Sequence, residues 1–123
     1  MTIHKLLHAG LLVKDTMRSL EFYQGVLGLE VDRSRPELGY PGAWLWLGVQ
    51  QIHLMELPNP DSAEGRPAHG GRDRHLALTV SDIEALRCTF ERSGVAYTRS
   101  KSGRRALFCR DPDGNALEFV EQI

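Results

Sequence analysis

The chain repeats itself, and the repeat limits the folds open to it. His8-Ala-Gly-Leu-Leu-Val13 returns as His75-Leu-Ala-Leu-Thr-Val80 at an offset of 67, and Asp15 falls on Asp82. In both places a segment with apolar residues near helical spacing follows. It closes at Gly28-Leu29-Glu30-Val31 in one half and, after a one-residue gap, at Gly94-Val95-Ala96-Tyr97 in the other. The halves also end alike, Met55-Glu56-Leu57 matching Leu117-Glu118-Phe119 at an offset of 62. Two copies are too few for a solenoid, so the chain reads as a duplicated module. At 123 residues the modules fit one domain, 1-123, with module 1 about 4-58, a linker over 59-72 and module 2 about 73-123. A domain of this size buries roughly two-thirds of the surface its unfolded chain exposes, so its core needs no metal or disulfide.

Within the first copy, Leu7, Ala9, Leu11 and Val13 alternate with His8, Gly10 and Leu12, the period of a strand with one buried face and His8 on the other. Asp15 or Thr16 caps a helix whose apolar positions are Met17, Leu20, Phe22, Tyr23, Val26 and Leu27, stopped by Gly28. Strands follow at Leu29 to Arg33, Ala43 to Leu47 and Gln51 to Leu57. The second copy gives a strand from Arg74 to Val80, a helix from Ser81 to Arg92 with Ser81 as cap, and a strand from Val95 to Arg99. Its last two strands form a hairpin, because Asp111-Pro112-Asp113-Gly114 puts Pro and Gly where a three-residue loop requires them. With Pro112, Asp113 and Gly114 as the loop, Asp111 faces Asn115 and Phe108 faces Glu118.

Several partners are excluded by composition. Fifteen Lys and Arg against sixteen Asp and Glu give a net charge of -1, with no basic field to hold nucleic acid. The longest apolar stretch, Leu6 to Val13, is far below the roughly 18 residues a membrane span needs. It runs straight into Lys14-Asp15 with no small-residue cleavage site, which predicts no secretory leader and a cytoplasmic protein. Cys88 and Cys109 form no Cys-x-x-Cys pair, and each sits in an apolar-periodic segment that reads as a place for a small buried residue.

Each module therefore carries a His on its first strand and a Glu on its last, both facing away from the most apolar alternating set. One such residue on a polar face is ordinarily just solvated. Their recurrence in halves that have otherwise diverged is what singles them out. If the modules pair about a pseudo-two-fold axis, His8, Glu56, His75 and Glu118 converge, a nitrogen and oxygen set suited to nickel, cobalt, zinc, manganese or iron.

These residues resemble the vicinal oxygen chelate superfamily, which includes glyoxalase I, fosfomycin-modifying thiol transferases, ring-cleaving dioxygenases, methylmalonyl-CoA epimerase and bleomycin-binding proteins. The resemblance spans nearly the whole chain. It rests on the His8 strand with Ser19-Leu-Glu-Phe-Tyr-Gln-Gly-Val-Leu-Gly-Leu29, on Trp46-Leu-Gly and Ile52-His-Leu-Met-Glu56, on Arg74-His-Leu-Ala-Leu-Thr-Val80, and above all on Phe108-Cys-Arg-Asp-Pro-Asp-Gly-Asn-Ala-Leu-Glu118. It implies an α+β fold of two βαβββ modules curving a mixed sheet around a metal that chelates vicinal oxygens of a small-molecule substrate. It also implies a homodimer with metal sites at the subunit interface, His8 and Glu56 from one subunit and His75 and Glu118 from the other.

Those four match the His-Glu-His-Glu pattern of glyoxalase I, where the metal polarises substrate oxygens and a ligand Glu, here Glu118 or Glu56, moves a proton. The resemblance thus favours a divalent-metal lyase or isomerase. Leu12 stands where glyoxalase I proteins of this size carry a glutathione-binding Arg, which points away from ordinary glutathione hemithioacetal. A second reading is a dioxygenase or fosfomycin-type transferase using His8, His75 and Glu118, although Phe108 replaces the Tyr of both groups and Ile123 ends the sequence before the transferases' phosphonate-gripping Arg. A non-catalytic antibiotic-binding protein is the third. Around the site, Trp44, Trp46 and Phe108 are read as substrate-binding walls, and Arg104 and Arg110, which share parity with Phe108, as holders of a substrate anion. His69 and Arg72 are placed at the pocket mouth. His53, on the face opposite Glu56, is read first as a surface or satisfied core histidine and second as a ligand, and His4 as exposed.

Overall fold

A computed structural model describes residues 1–122, so the terminus at Ile123 assigned to module 2 lies outside the described residues. The chain divides into two units, the first Met1–Asp61 and the second beginning at Ser62. Both are α+β and share one topology, as the repeat predicts.

The first unit runs β1 (His8–Val13), α1 (Thr16–Leu20), β2 (Val31–Asp32), β3 (Gly42–Leu47) and β4 (Gln50–Glu56). Its sheet has the order β1-β4-β3-β2, with β1 parallel to β4 and the other pairs antiparallel. Asp15 starts the helix in an extended conformation, its carboxylate accepting the N–H groups of Met17 and Arg18, a cap worth about 1 kcal/mol. The helix is not α throughout. From Glu21 to Val26 it is π-helical, Leu27 N–H reaching back to the Phe22 carbonyl at 2.9 Å. Neighbouring Phe22 and Tyr23 are both buried there, edge to face at 5.0 Å, whereas Met17, expected on the apolar side, is exposed. The helix packs on β3 and β4, whose inward residues Ala43, Leu45, Ile52 and Leu54 are buried.

The second unit runs β5 (His75–Val80), α2 (Ile83–Ser93), β6 (Tyr97–Arg99), β7 (Ala106–Arg110) and β8 (Ala116–Glu121) in the order β5-β8-β7-β6. Asp82 caps α2, its Oδ1 accepting from Glu84 and Ala85 N–H, in place of the expected Ser81. The hairpin forms as predicted. Asp111 N–H donates to the Asn115 carbonyl at 2.9 Å, Gly114 takes φ +85°, and Phe108 faces Glu118. Both edge strands, β2 and β6, are shorter than the expected spans from Leu29 to Arg33 and from Val95 to Arg99.

Residues 62–72, expected to be linker, belong to the second unit. Arg66 grips Asp73 with two hydrogen bonds, and Arg110 Nη2 donates to the Pro67 carbonyl at 2.6 Å. A 3-10 turn, Gly70–Arg72, then lies so close to β7 and β8 that a Cβ on Gly70 would come within 3.3 Å of the Ala116 methyl. Cys109 is buried in β7, but Cys88 is exposed on α2, against the expectation that both are buried. Among the described residues no helix is long and apolar enough to cross a membrane.

Candidate functional site

In the first unit the register sets His8 beside Gln51 and Gly10 beside His53, while Trp44 pairs with His53 and Trp46 with Gln51. All these side chains therefore lie on the sheet face away from α1. The ring of His53 is sandwiched, 4.3 Å from Trp44 and 3.9 Å from His8, with interplanar angles of 7° and 15°. Its protonation is set by a relay. Gln51 donates its amide N–H to Asp32 Oδ2 at 2.7 Å, so Gln51 Oε1 is the atom 2.7 Å from His53 Nε2. A carbonyl oxygen only accepts, so His53 Nε2 carries the hydrogen and Nδ1 keeps its lone pair. Burial of the ring, then the charges of His8 and Arg35, hold His53 below the ordinary imidazole value, with Asp32 opposing. The neutral ring so favoured is the form that ligates metals.

Glu56 does not join this cluster. It pairs with Val13, on the helix-facing side with Ile52 and Leu54, and its Oε1 accepts the Thr16 N–H at 2.7 Å. Matching Met55-Glu56-Leu57 to Leu117-Glu118-Phe119 aligned letters rather than strand register. By register, His53 beside Gly10 is the counterpart of Glu118 beside Ala77, and Glu56 beside Val13 is the counterpart of Glu121 beside Val80. The alternation of Ile52, Leu54 and Glu56 already held the signal, since it puts Glu56 in step with the apolar residues.

The second unit brings His75 and Glu118 together. His75 Nδ1 donates to the Asp73 carbonyl at 2.8 Å, so in the neutral ring Nε2 is an acceptor, and it faces Glu118 Oε1 3.3 Å away. Two acceptors at that distance call for a cation between them, a proton or a metal ion. Glu118 is 4% exposed, and its other oxygen takes the Arg104 guanidinium. Phe108 stands edge-on to His75 at 5.6 Å. His69 has both ring nitrogens engaged, Nε2 with the Arg99 carbonyl and Nδ1 with Gly71 N–H, each at 3.0 Å. These groups line a cavity of about 320 Å³ that also includes Arg72 and Lys101. Arg110 is not available to a substrate, because it is committed to Asp73 Oδ2 and the Gly114 and Pro67 carbonyls.

Within each unit a pair of ligand-type side chains thus faces one way, and among the described residues no third His, Cys, Asp or Glu closes a metal site. The donor chemistry fits a divalent metal: an unprotonated imidazole nitrogen, a buried carboxylate and outer hydrogen bonds that fix each tautomer. Trp44 backs His53, and Trp46 is 39% exposed on the same face.

Comparison with known proteins gives a consistent picture. The family described as Glyoxalase/Bleomycin resistance protein/Dioxygenase superfamily matches residues 5–119. Lactoylglutathione lyase of Haemophilus influenzae is 34% identical over 128 residues, covering 95% of this chain and 92% of that protein. The fosfomycin resistance protein FosX of Listeria monocytogenes superposes with a TM-score of 0.76 at 21% identity, over 99% of this chain and 94% of that one. TnmS3, an antibiotic binding protein from Streptomyces sp. CB03234, gives 0.76 at 19% identity, over 100% and 99%. At those identities the two structures are alike in fold.

Proposed function

Since the chain belongs to the glyoxalase/bleomycin resistance protein/dioxygenase superfamily, we propose that it is a divalent-metal lyase or isomerase of the glyoxalase type, acting on a small substrate with vicinal oxygens. The observation that carries this reading is the 3.3 Å approach of His75 Nε2 to the buried Glu118 carboxylate, with Nδ1 of the same ring held by the Asp73 carbonyl. The ligands are His8 and His53 from one subunit of a homodimer and His75 and Glu118 from the other, with His53 in the place first given to Glu56. Nickel, cobalt, zinc, manganese and iron all accept such a set. When bound, the metal supplies Lewis-acid polarisation of the substrate oxygens.

The remaining chemistry belongs to the chain. Glu118 is the one carboxylate in the ligand set, so it is the base that takes a proton from the substrate carbon and returns it to the neighbouring one. Arg104 holds its second oxygen and fixes its direction. Phe108 keeps one wall dry, and Trp44 and Trp46 offer an apolar wall on the other half-site. Arg72 and Lys101 hold no side-chain partner among the described residues and receive the substrate's anionic group. Leu12 points to a substrate other than the glutathione hemithioacetal.

The test is proton exchange. Protein purified without chelators, assayed for metal, is incubated in deuterium oxide with small 2-hydroxy aldehydes, ketones and 2-oxo acids, and label at carbon is followed by NMR. Exchange that Glu118→Gln abolishes supports the reading. Iron with oxygen consumption moves the protein to the dioxygenases, and tight ligand binding without exchange moves it to the binding proteins.

A further inference from the structure

Glu56 and Glu121 hold the same place in the two units but are not equally satisfied. Each sits opposite a valine of the unit's first strand, Val13 or Val80. Each donates its backbone N–H to the residue just before the unit's third strand, Pro41 or Arg105, at 2.9 Å. Each accepts the N–H at the start of the helix, from Thr16 at 2.7 Å or Ile83 at 3.0 Å. In the second unit Arg105 completes the arrangement, Nε on one Glu121 oxygen at 2.6 Å and Nη2 on the other at 3.3 Å. Pro41 supplies no such group in the first unit. Among the described residues, Thr16 N–H is the one partner of the Glu56 carboxylate.

Beside Glu56 there is instead a cavity of about 580 Å³, lined by Thr16, Arg35, Tyr40 and Glu56 with Met17 and Glu37 at its rim. Two polar atoms of its lining residues are buried with no partner, Thr16 Oγ1 and Arg35 Nε, and Thr16 as a whole is 9% exposed. Arg35 is pinned, its Nη2 donating to the Tyr40 carbonyl at 2.9 Å and its guanidinium lying 5.3 Å from the Tyr40 ring centre. Buried polar groups without partners are rare in folded proteins and mark sites where something else completes the hydrogen bonding.

We infer that this cavity is a second small-molecule site, on the opposite side of the first unit's sheet from His8 and His53, and that it takes a zwitterion of the amino acid type. The ligand's cationic nitrogen occupies the place of the Arg105 guanidinium and pairs with Glu56. Its carboxylate pairs with the Arg35 guanidinium, and rotation of Thr16 about χ1 turns its hydroxyl, which is closed to solvent and has no protein acceptor, toward that carboxylate. Charge-assisted bonds at both ends make recognition depend on both groups being on one molecule.

Calorimetric titration of the full chain with L-arginine and L-alanine, and with propionate and ethylammonium as single-charge controls, tests this. Saturable binding of an amino acid is expected, with neither control binding comparably. Glu56→Gln, which keeps an acceptor for Thr16 N–H, and Arg35→Gln should each weaken binding by about tenfold or more. Pro41→Arg, restoring the second unit's arrangement, should abolish it, while His75→Ala leaves it unchanged. No saturable binding by either amino acid, equal binding by Glu56→Gln, or binding of propionate as tight as that of alanine overturns the inference.

Discussion

His75 Nε2 and Glu118 Oε1 face each other at 3.3 Å while the Asp73 carbonyl engages Nδ1 of the same ring, so the neutral ring would set one acceptor against another. A metal ion relieves that opposition, and protons compete with it. Stoichiometric uptake of zinc or nickel is expected near neutral pH, falling as the solution is acidified. His75→Ala and Glu118→Ala should each abolish stoichiometric uptake and leave the circular dichroism unchanged, since a core of this size forms without metal. Equilibrium dialysis with elemental analysis reads the outcome. Full retention of metal by both variants removes the proposed centre.

His53 and Glu56 lie three residues apart on one strand and face opposite ways, so their substitutions should separate. His53→Ala is expected to lower metal affinity, because it removes the ring that burial and His8 keep neutral. Glu56→Gln should leave it unchanged, because that carboxylate is bound to Thr16 N–H on the helix side. Dialysis of the two variants side by side distinguishes the ligand set with His53 from the one with Glu56.

Most of the fold was legible because it is written twice. The His8 and His75 strands, the stop at Gly28, the Gly94 turn and the 112–114 hairpin all follow from period, cap and turn chemistry, and the facing of Phe108 and Glu118 followed from loop length alone. What escaped depends on registration between strands. A match of Glu56 to Glu118 by sequence overrode the parity of β4, and period-2 alternation makes a shift of one residue reverse the face. Arg110 looked free because the carbonyls that bind it, Pro67 and Gly114, carry no signature in the sequence. The π-helical turn at Glu21–Val26 leaves no mark in the apolar spacing that the expected α-helix would not also leave.

Asp73 makes the stability of the second unit depend on acid. Hydrogen bonds from Arg66, then from Arg110, hold its carboxyl well below the usual carboxylate range. A lowered folded value means the stabilisation is complete above the unfolded value of about 3.9 and drains away as pH falls toward the folded one. Asp73→Asn should therefore melt below the wild type near neutral pH, and the two curves should converge in strong acid. Thermal melts across that range check it, and a constant gap at every pH contradicts it.

The two thiols should react differently. Burial pushes the Cys109 thiol up to about 12, and the residue is 4% exposed, whereas Cys88 is exposed. The thiolate is the reactive species, so a disulfide reagent should titrate Cys88 in the native protein and reach Cys109 only in denaturant. Counting released chromophore before and after unfolding decides the matter.

Gly114 stabilises the β7–β8 turn without setting the site. At φ +85° it occupies a conformation that costs a residue with a Cβ about 1–2 kcal/mol. Asp111 secures the same turn from the other side, its Oδ1 accepting from Asp113 and Asn115 N–H at 2.9 Å each. Because these Asp111 bonds and the β7–β8 pairing survive the change, Gly114→Ala should lower the melting temperature by several degrees without changing the register that faces Phe108 with Glu118. Metal uptake by the folded variant should then equal that of the wild type. If uptake is lost while the protein stays folded, the turn does not merely stabilise the hairpin but sets the direction in which Glu118 points.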